Sequence, residues 1–296
     1  MALYELIEQP DLDEPALVLA LDGWIDAGTS AAIAAEVLCE QLETITVARF
    51  STDELIDYRA RRPVVHLVDG VQRGLTWPSI ELRAASDLDG NEMLVLIGAE
   101  PDRLWHQFAR EVTDLALDFG VRLCAGLGAY PAPAPHTRPP GVACTASTPK
   151  LAEQGFLRAT LDFPGGVQAA IEQECDSRGI PALGLWAQVP HYIVPTGMAY
   201  PAASVVLIEA LARVGNLSLP LGDLPGRADA TRARLDELIA NNPEHQAMLR
   251  QLEASHEEAM GDQPGPQPLQ AADLPTGDEL AAELERFLRD QHGGDG

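Results

Sequence analysis

The apolar run Pro15-Ala-Leu-Val-Leu-Ala-Leu21, followed at once by Asp22-Gly23-Trp24-Ile25-Asp26-Ala27-Gly28, constrains the fold more than any other segment. A continuous run of strand length reads as a strand covered on both faces, as in a parallel sheet, because a strand with one wet face alternates. A helix is predicted directly after the turn, since Ile33, Val37 and Leu38 recur at helical spacing within 29–42, and 44–50 then reads as another strand. Strand, turn, helix, strand is the opening of an α/β domain.

The alternation continues along the chain. Residues 92–97 read as a buried strand, and Trp105, Phe108, Val112, Leu115 and Phe119 follow at intervals of three or four as a helix with Pro101 in its first turn. Residues 121–127 are predicted as a strand, and the proline-crowded 129–140 as a loop, because proline offers no ladder donor. Gly165-Gly166 opens a helix that should stop near Gly179, 181–189 reads as a strand and 200–214 as a helix. Only 64–68 and 71–76, two strand-like pieces, interrupt this order. The expected fold class is α/β, a three-layer α/β/α sandwich around a mostly parallel sheet.

From about residue 220 the strands cease, which divides the chain into an α/β domain over 1–219 and an acidic helical extension over 220–296. Leu235, Leu238 and Ile239 share one helical face; Asn242 can cap a second helix, with Pro243 first and Met248, Leu249 and Leu252 inward. Thr276 and Glu279 make a capping box for a last helix with Leu280, Leu284, Phe287 and Leu288 as its stripe, and 293–296 read as a disordered end.

Charge narrows the partners. With 45 acidic against 20 basic residues the formal net charge is −25, so nucleic acid and anionic membrane surfaces are poor partners. No apolar run approaches the roughly 20 residues needed to span a bilayer and no leader pattern opens the chain, so a cytoplasmic location is expected. Cys39, Cys124, Cys144 and Cys175 are far apart and read as reduced, buried thiols. His66, His106, His245, His256 and His292 lack paired ligand spacing, so neither a metal nor a cofactor is expected. Trp77, Trp105 and Trp186 lie in or beside apolar segments and read as core.

Three turns after strands carry the candidate chemistry. In the first, Asp22 and Asp26 stand where α/β proteins bind ligands, but two carboxylates at a helix start would repel phosphate, and the G-x-G-x-x-G spacing is missing. Asp26 is read either as a helix cap or as a ligand contact, and Trp24, lying in a turn, as an interface or ligand contact. In the second, Pro135-His136-Thr137-Arg138-Pro139-Pro140 braces an imidazole and a cation; Arg138 could bind an anion or pair with Asp22 or Asp26. In the third, Pro190-His191-Tyr192 could bring His191 to the same sheet edge. Acid–base chemistry is open to such a cluster, yet Ser147 and Ser204 lack the G-x-S-x-G turn and no nucleophile accompanies it.

These motifs together, Gly-Trp-x-Asp-Ala-Gly at 23–28, Pro-His-Thr-Arg-Pro at 135–139 and Pro-His-Tyr at 190–192, with Glu100-Pro-Asp-x-x-Trp105 between, resemble the proteasome assembly chaperone 2 family over about residues 3–215. The helical tail resembles the extension of bacterial members. The resemblance implies a fold similar to purine nucleoside phosphorylases with a mixed sheet, a role as an assembly chaperone, a proteasome-related protein partner, and a homo-oligomer, with a trimer among the open states. It assigns Asp22, Asp26, His136, Arg138 and His191 as signature positions, not as a catalytic set. Where the family often has a hydroxyl residue in a glycine-proline turn, this chain has Phe163-Pro164-Gly165-Gly166. Two readings follow: a non-enzymatic, self-associating, protein-binding protein, or a small-molecule enzyme, hydrolytic or phosphorylase-like, that uses an Asp/Arg/His cluster.

Overall fold

The computed structural model describes residues 2–23, 25–154, 156–160, 162–261 and 268–270. The turn residue Trp24, the last predicted helix with its capping box, and the closing glycines lie outside these residues.

The apolar run forms β2 (Ala16–Asp22). Its side chains alternate between two cores, Ala16, Val18 and Ala20 into one and Leu17 and Leu19 into the other, each of them at most 4% exposed. An element buried on both faces must lie inside a sheet covered by helices. The strand order is β1-β3-β6-β7-β2-β8-β11-β9, with β1 (Tyr4–Leu6), β3 (Thr44–Phe50), β6 (Ile80–Ser86), β7 (Glu92–Ala99), β8 (Leu123–Ala132), β9 (Val142–Ala146) and β11 (Ala182–Pro190). The central β7-β2-β8-β11 pairings are parallel and the flanking ones antiparallel, so β3 and these four strands run one way while β1, β6 and β9 run the other. The sheet is mixed and mostly parallel.

Helices α1 (Ser30–Gln41), α6 (Pro201–Gly215) and α7 (Leu224–Ala240) pack on one face, and α3 (Trp105–Asp118) and α5 (Val167–Ser177) on the other, completing the α/β/α layers. Short helices α2 (Thr52–Leu55) and α4 (Pro149–Ala152) follow strands, and β10 (Arg158–Thr160) pairs in parallel with β12 (Pro268–Gln270). Strands β4 (Val64–Val68) and β5 (Val71–Thr76) form a separate antiparallel hairpin outside the large sheet. The last helix described, α8 (Pro243–Gly261), is capped by Asn242, whose side-chain oxygen accepts from the Glu244 and His245 amides at 2.9 and 3.3 Å.

The structure departs from the sequence expectations at several places, each with a physical reason. Strand β8 runs on through Pro131 to Ala132, into the segment expected to be loop, because by then β2 no longer pairs with it and β11 is its ladder partner. A proline fits a strand on a side that needs no donor. Pro101 precedes α3 rather than sitting in its first turn, and its carbonyl accepts the Trp105 indole N–H at 2.6 Å. Trp77 is 50% exposed and packs edge-on to Tyr58 at the base of the hairpin, not in a core. Leu238 is also exposed, while Leu235 and Ile239, one turn apart, carry the buried face of α7.

Candidate functional site

The first turn is built around helix capping. Gly28 and Thr29 both adopt left-handed backbone, with φ of 62° and 50°, so the chain reverses sharply into α1. A side chain at Gly28 would meet Tyr200, whose amide donates to the Gly28 carbonyl at 3.0 Å. The reversal brings Asp26 over the start of α1: Oδ1 accepts from the Ala31 amide at 2.7 Å and Oδ2 from the Ala32 amide at 3.0 Å. Burial pushes the Asp26 carboxyl up from its ordinary range, and these amides pull it back. Asp22 is raised by burial too, with Arg61 opposing.

The other two turns come together, but on the C-terminal helices. The His136 amide donates to the Tyr192 hydroxyl at 2.9 Å, and His136 Nδ1 lies 2.8 Å from the same oxygen. His136 Nε2 lies 3.2 Å from Asp236 Oδ1 on α7. A neutral ring with its proton on Nε2 satisfies all three contacts, Tyr192 donating to Nδ1 and Nε2–H to Asp236. Burial lowers the His136 pKa, in keeping with that neutral form, and raises that of Tyr192. Next along the loop, Thr137 donates to Glu253 Oε1 at 2.6 Å, and Arg138 reaches Glu257 at 2.7 Å and Glu253 at 4.0 Å on α8. His191 packs edge-on to Tyr192, its amide donating to the Ala132 carbonyl at 3.0 Å.

Of the two open readings for Arg138, pairing with Asp22 or Asp26 does not form: the carboxylates of α8 take the guanidinium. Among the described residues, no hydrogen bond or ion pair joins either aspartate to His136, Arg138 or His191. No cluster of three or more His, Cys, Asp or Glu among the described residues is placed to hold a metal ion.

A second polar site was missed. A cavity of about 110 Å³ lies beneath the Gly23–Asp26 turn on the α5 side, with Glu100, Thr145, Phe163, Gln168, Glu172 and Trp186 in its walls. Gln168 Nε2 donates to Glu172 Oε1 at 2.9 Å, the Trp186 indole donates to Thr145 at 3.0 Å, and the Val167 amide donates to Glu100 Oε1 at 2.7 Å. Glu172 keeps a little accessible surface, yet protein surrounds it on nearly every side, and burial pushes its carboxyl up to about 7. Sequence reasoning took Trp186 for core and passed over Glu172. The signal was there in the alternate glycines of β8, Gly126 and Gly128, and in Gly184 of β11, which mark a close approach to the sheet.

The layers and turns define an α/β/α sandwich protein whose signature loops are tied down by helix amides and by a C-terminal helical pair. The PAC2 family model matches residues 20–239, and the chain belongs to that family. Among solved structures, a Corynebacterium glutamicum protein of unknown function is 32% identical, with a TM-score of 0.82 over 87% of this chain and 98% of its own. A Mycobacterium tuberculosis protein of unknown function is 33% identical, with a TM-score of 0.82 over 88% and 90%. A proteasome-assembly chaperone homologue from Mycobacterium tuberculosis is 31% identical, with a TM-score of 0.71 over 79% and 99%. No curated protein sequence matches significantly.

Two outcomes follow from the site. Asp26→Ala should destabilise the fold by about 1–2 kcal/mol in urea titrations through loss of the cap, and Asp26→Asn by less, because its amide oxygen still accepts. For Glu172 the folded carboxyl titrates above its ordinary value of 4.5, so its protonated form favours the fold. That contribution is complete below pH 4.5 and is lost as pH rises through about 7, at most about 3 kcal/mol and less for the exposure it retains. E172Q, which cannot ionise, should gain stability relative to wild type between pH 5 and pH 8 in the same titrations.

Proposed function

We propose that this PAC2 family member is a non-enzymatic, cytoplasmic protein that associates with itself and binds other proteins in the manner of an assembly chaperone. One observation carries the reading: the β4–β5 hairpin leaves apolar side chains uncovered on both faces. Neighbouring strand residues point to opposite faces, and Val64 and Val65 are 60% and 49% exposed, with Leu67 at 63% and Val71 at 50%. A two-stranded hairpin is marginal by itself, and contiguous apolar surface of this kind marks protein contacts. Arg59, Arg61, Arg62 and Arg73 lie in or beside it, in a chain of net charge −25, so the acidic surface of a second copy is electrostatically complementary. Likeness to a protein described as a proteasome-assembly chaperone homologue supports a proteasome-related partner. No helix among the described residues is long and apolar enough to cross a membrane, which is compatible with the cytoplasm.

The enzyme reading needs Asp26, Arg138 and His191 free to meet a substrate, whereas Asp26 caps a helix and Arg138 is held by α8. The division at residue 219/220 is kept as part of the proposal, with α7 packed on the body through Leu224 and Leu235 and both α7 and α8 meeting the 136–138 loop.

Leu67→Glu tests the reading, because the side chain is exposed and the fold does not depend on it. Light scattering should give wild type a multiple of 31.7 kDa, a trimer being one such state, and the variant a monomer. Wild type, and not the variant, should co-elute with proteasome subunits of its own cell. A monomeric wild type that co-elutes with none of them would overturn the proposal.

A further inference from the structure

The cavity under the Gly23–Asp26 turn has a composition that protein binding at the hairpin does not account for. Of the described residues lining it, three are acidic, Asp26, Glu100 and Glu172, and none is basic. Asp26 and Glu100 already accept main-chain amides at the starts of α1 and α5. Among the described residues, the hydrogen-bond partner of Glu172 is the neutral Gln168 amide, on Oε1. A carboxyl placed on the inner side of α5 without a cation beside it is costly, and such groups concentrate at binding sites.

The sheet is hollowed out to receive that carboxyl. Gly184 of β11 pairs in register with Gly126 of β8, and Trp186 pairs with Gly128. A β-carbon at Gly126 would stand 2.0 Å from Gln168 Nε2 and 2.6 Å from Glu172 Oε1, and one at Gly184 would stand 3.0 Å from the same oxygen. Missing side chains on two facing strands let the polar ends of α5 lie against the backbone. The space left over is walled by Trp186 and, at its mouth, by Phe163, which is 48% exposed.

We propose that this cavity binds a small organic cation, an alkylammonium or the ammonium head of a larger amine, whose charge Glu172 receives between the aromatic walls of Trp186 and Phe163. Carboxylate and aromatic faces together attract such a cation, and the negative charge of the whole chain raises its local concentration. A metal ion is the poorer fit, since no metal-holding cluster exists among the described residues. Size points the same way: an apolar cavity of about 150 Å³ accommodates benzene, so about 110 Å³ holds roughly four or five non-hydrogen atoms. This inference does not depend on the hairpin reading.

Ethylammonium chloride is the probe, titrated into the full-length protein and followed by saturation-transfer NMR, with sodium chloride holding ionic strength constant and sodium acetate as the anionic control. Wild type should bind ethylammonium saturably and acetate not at all, and E172Q should bind ethylammonium at least threefold more weakly. Circular dichroism checks that E172Q is folded; should it not be, Phe163→Ala at the exposed mouth is judged by the same threefold criterion. A wild-type signal that never saturates, equal binding of acetate, or a variant weakened less than threefold would overturn the proposal.

Discussion

Burial of β2 on both faces is the constraint from which the rest of the structure follows. A strand whose side chains from Ala16 to Ala20 enter cores on both faces must be flanked by strands and covered by helices above and below. Its neighbours β7 and β8 therefore run parallel to it, and parallel neighbours require crossovers, which α3 and the long excursion through α1 supply. Because the chain leaves β2 at the carboxyl end of the sheet, the Gly23–Gly28 turn, Glu100 and the 136–138 loop all gather near that end. Position, more than chemistry, makes these segments a signature.

The loops at that end are held by polar contacts in which neutral or paired groups face one another. Asp26 answers two helix amides, His136 stays neutral between Tyr192 and Asp236, and Arg138 meets α8. The contacts to His136 satisfy a group that would otherwise be buried at a cost of a few kcal/mol, whereas the solvent-exposed Arg138–Glu257 pair contributes at most about 1 kcal/mol. The C-terminal helices are thereby part of how the loops are ordered, even though they lie far along the sequence. By contrast, the hairpin makes few contacts with the body, and its apolar side chains remain in water.

Legibility followed the range of the interactions. Elements whose burial shows as local periodicity were readable: β2, α1, α3 and α6 appear where their apolar spacing placed them, and Asn242 caps α8 as its position before Pro243 implied. What failed were features decided by distant partners. The continuation of β8 through Pro131 depends on which neighbour it has left, the partner of Arg138 lies 119 residues away at Glu257, and the exposure of Trp77 depends on the hairpin standing outside the sheet. Of the candidate site, the capping by Asp26 and the meeting of His136 with Tyr192 were within reach of the motifs. Glu172 lies outside those motifs, and the signal for it sits in glycines of two strands, β8 and β11.

The central claim is that the working surface of this PAC2 family member is the Val64–Thr76 hairpin rather than the signature turns. Amide hydrogen exchange measured across a dilution series tests it most directly. The account expects the hairpin amides to slow as protein concentration rises, while amides of the 26–32 and 136–138 segments exchange alike at every concentration. Fast, concentration-independent exchange throughout the hairpin, with protection changing instead at the signature turns, would contradict it.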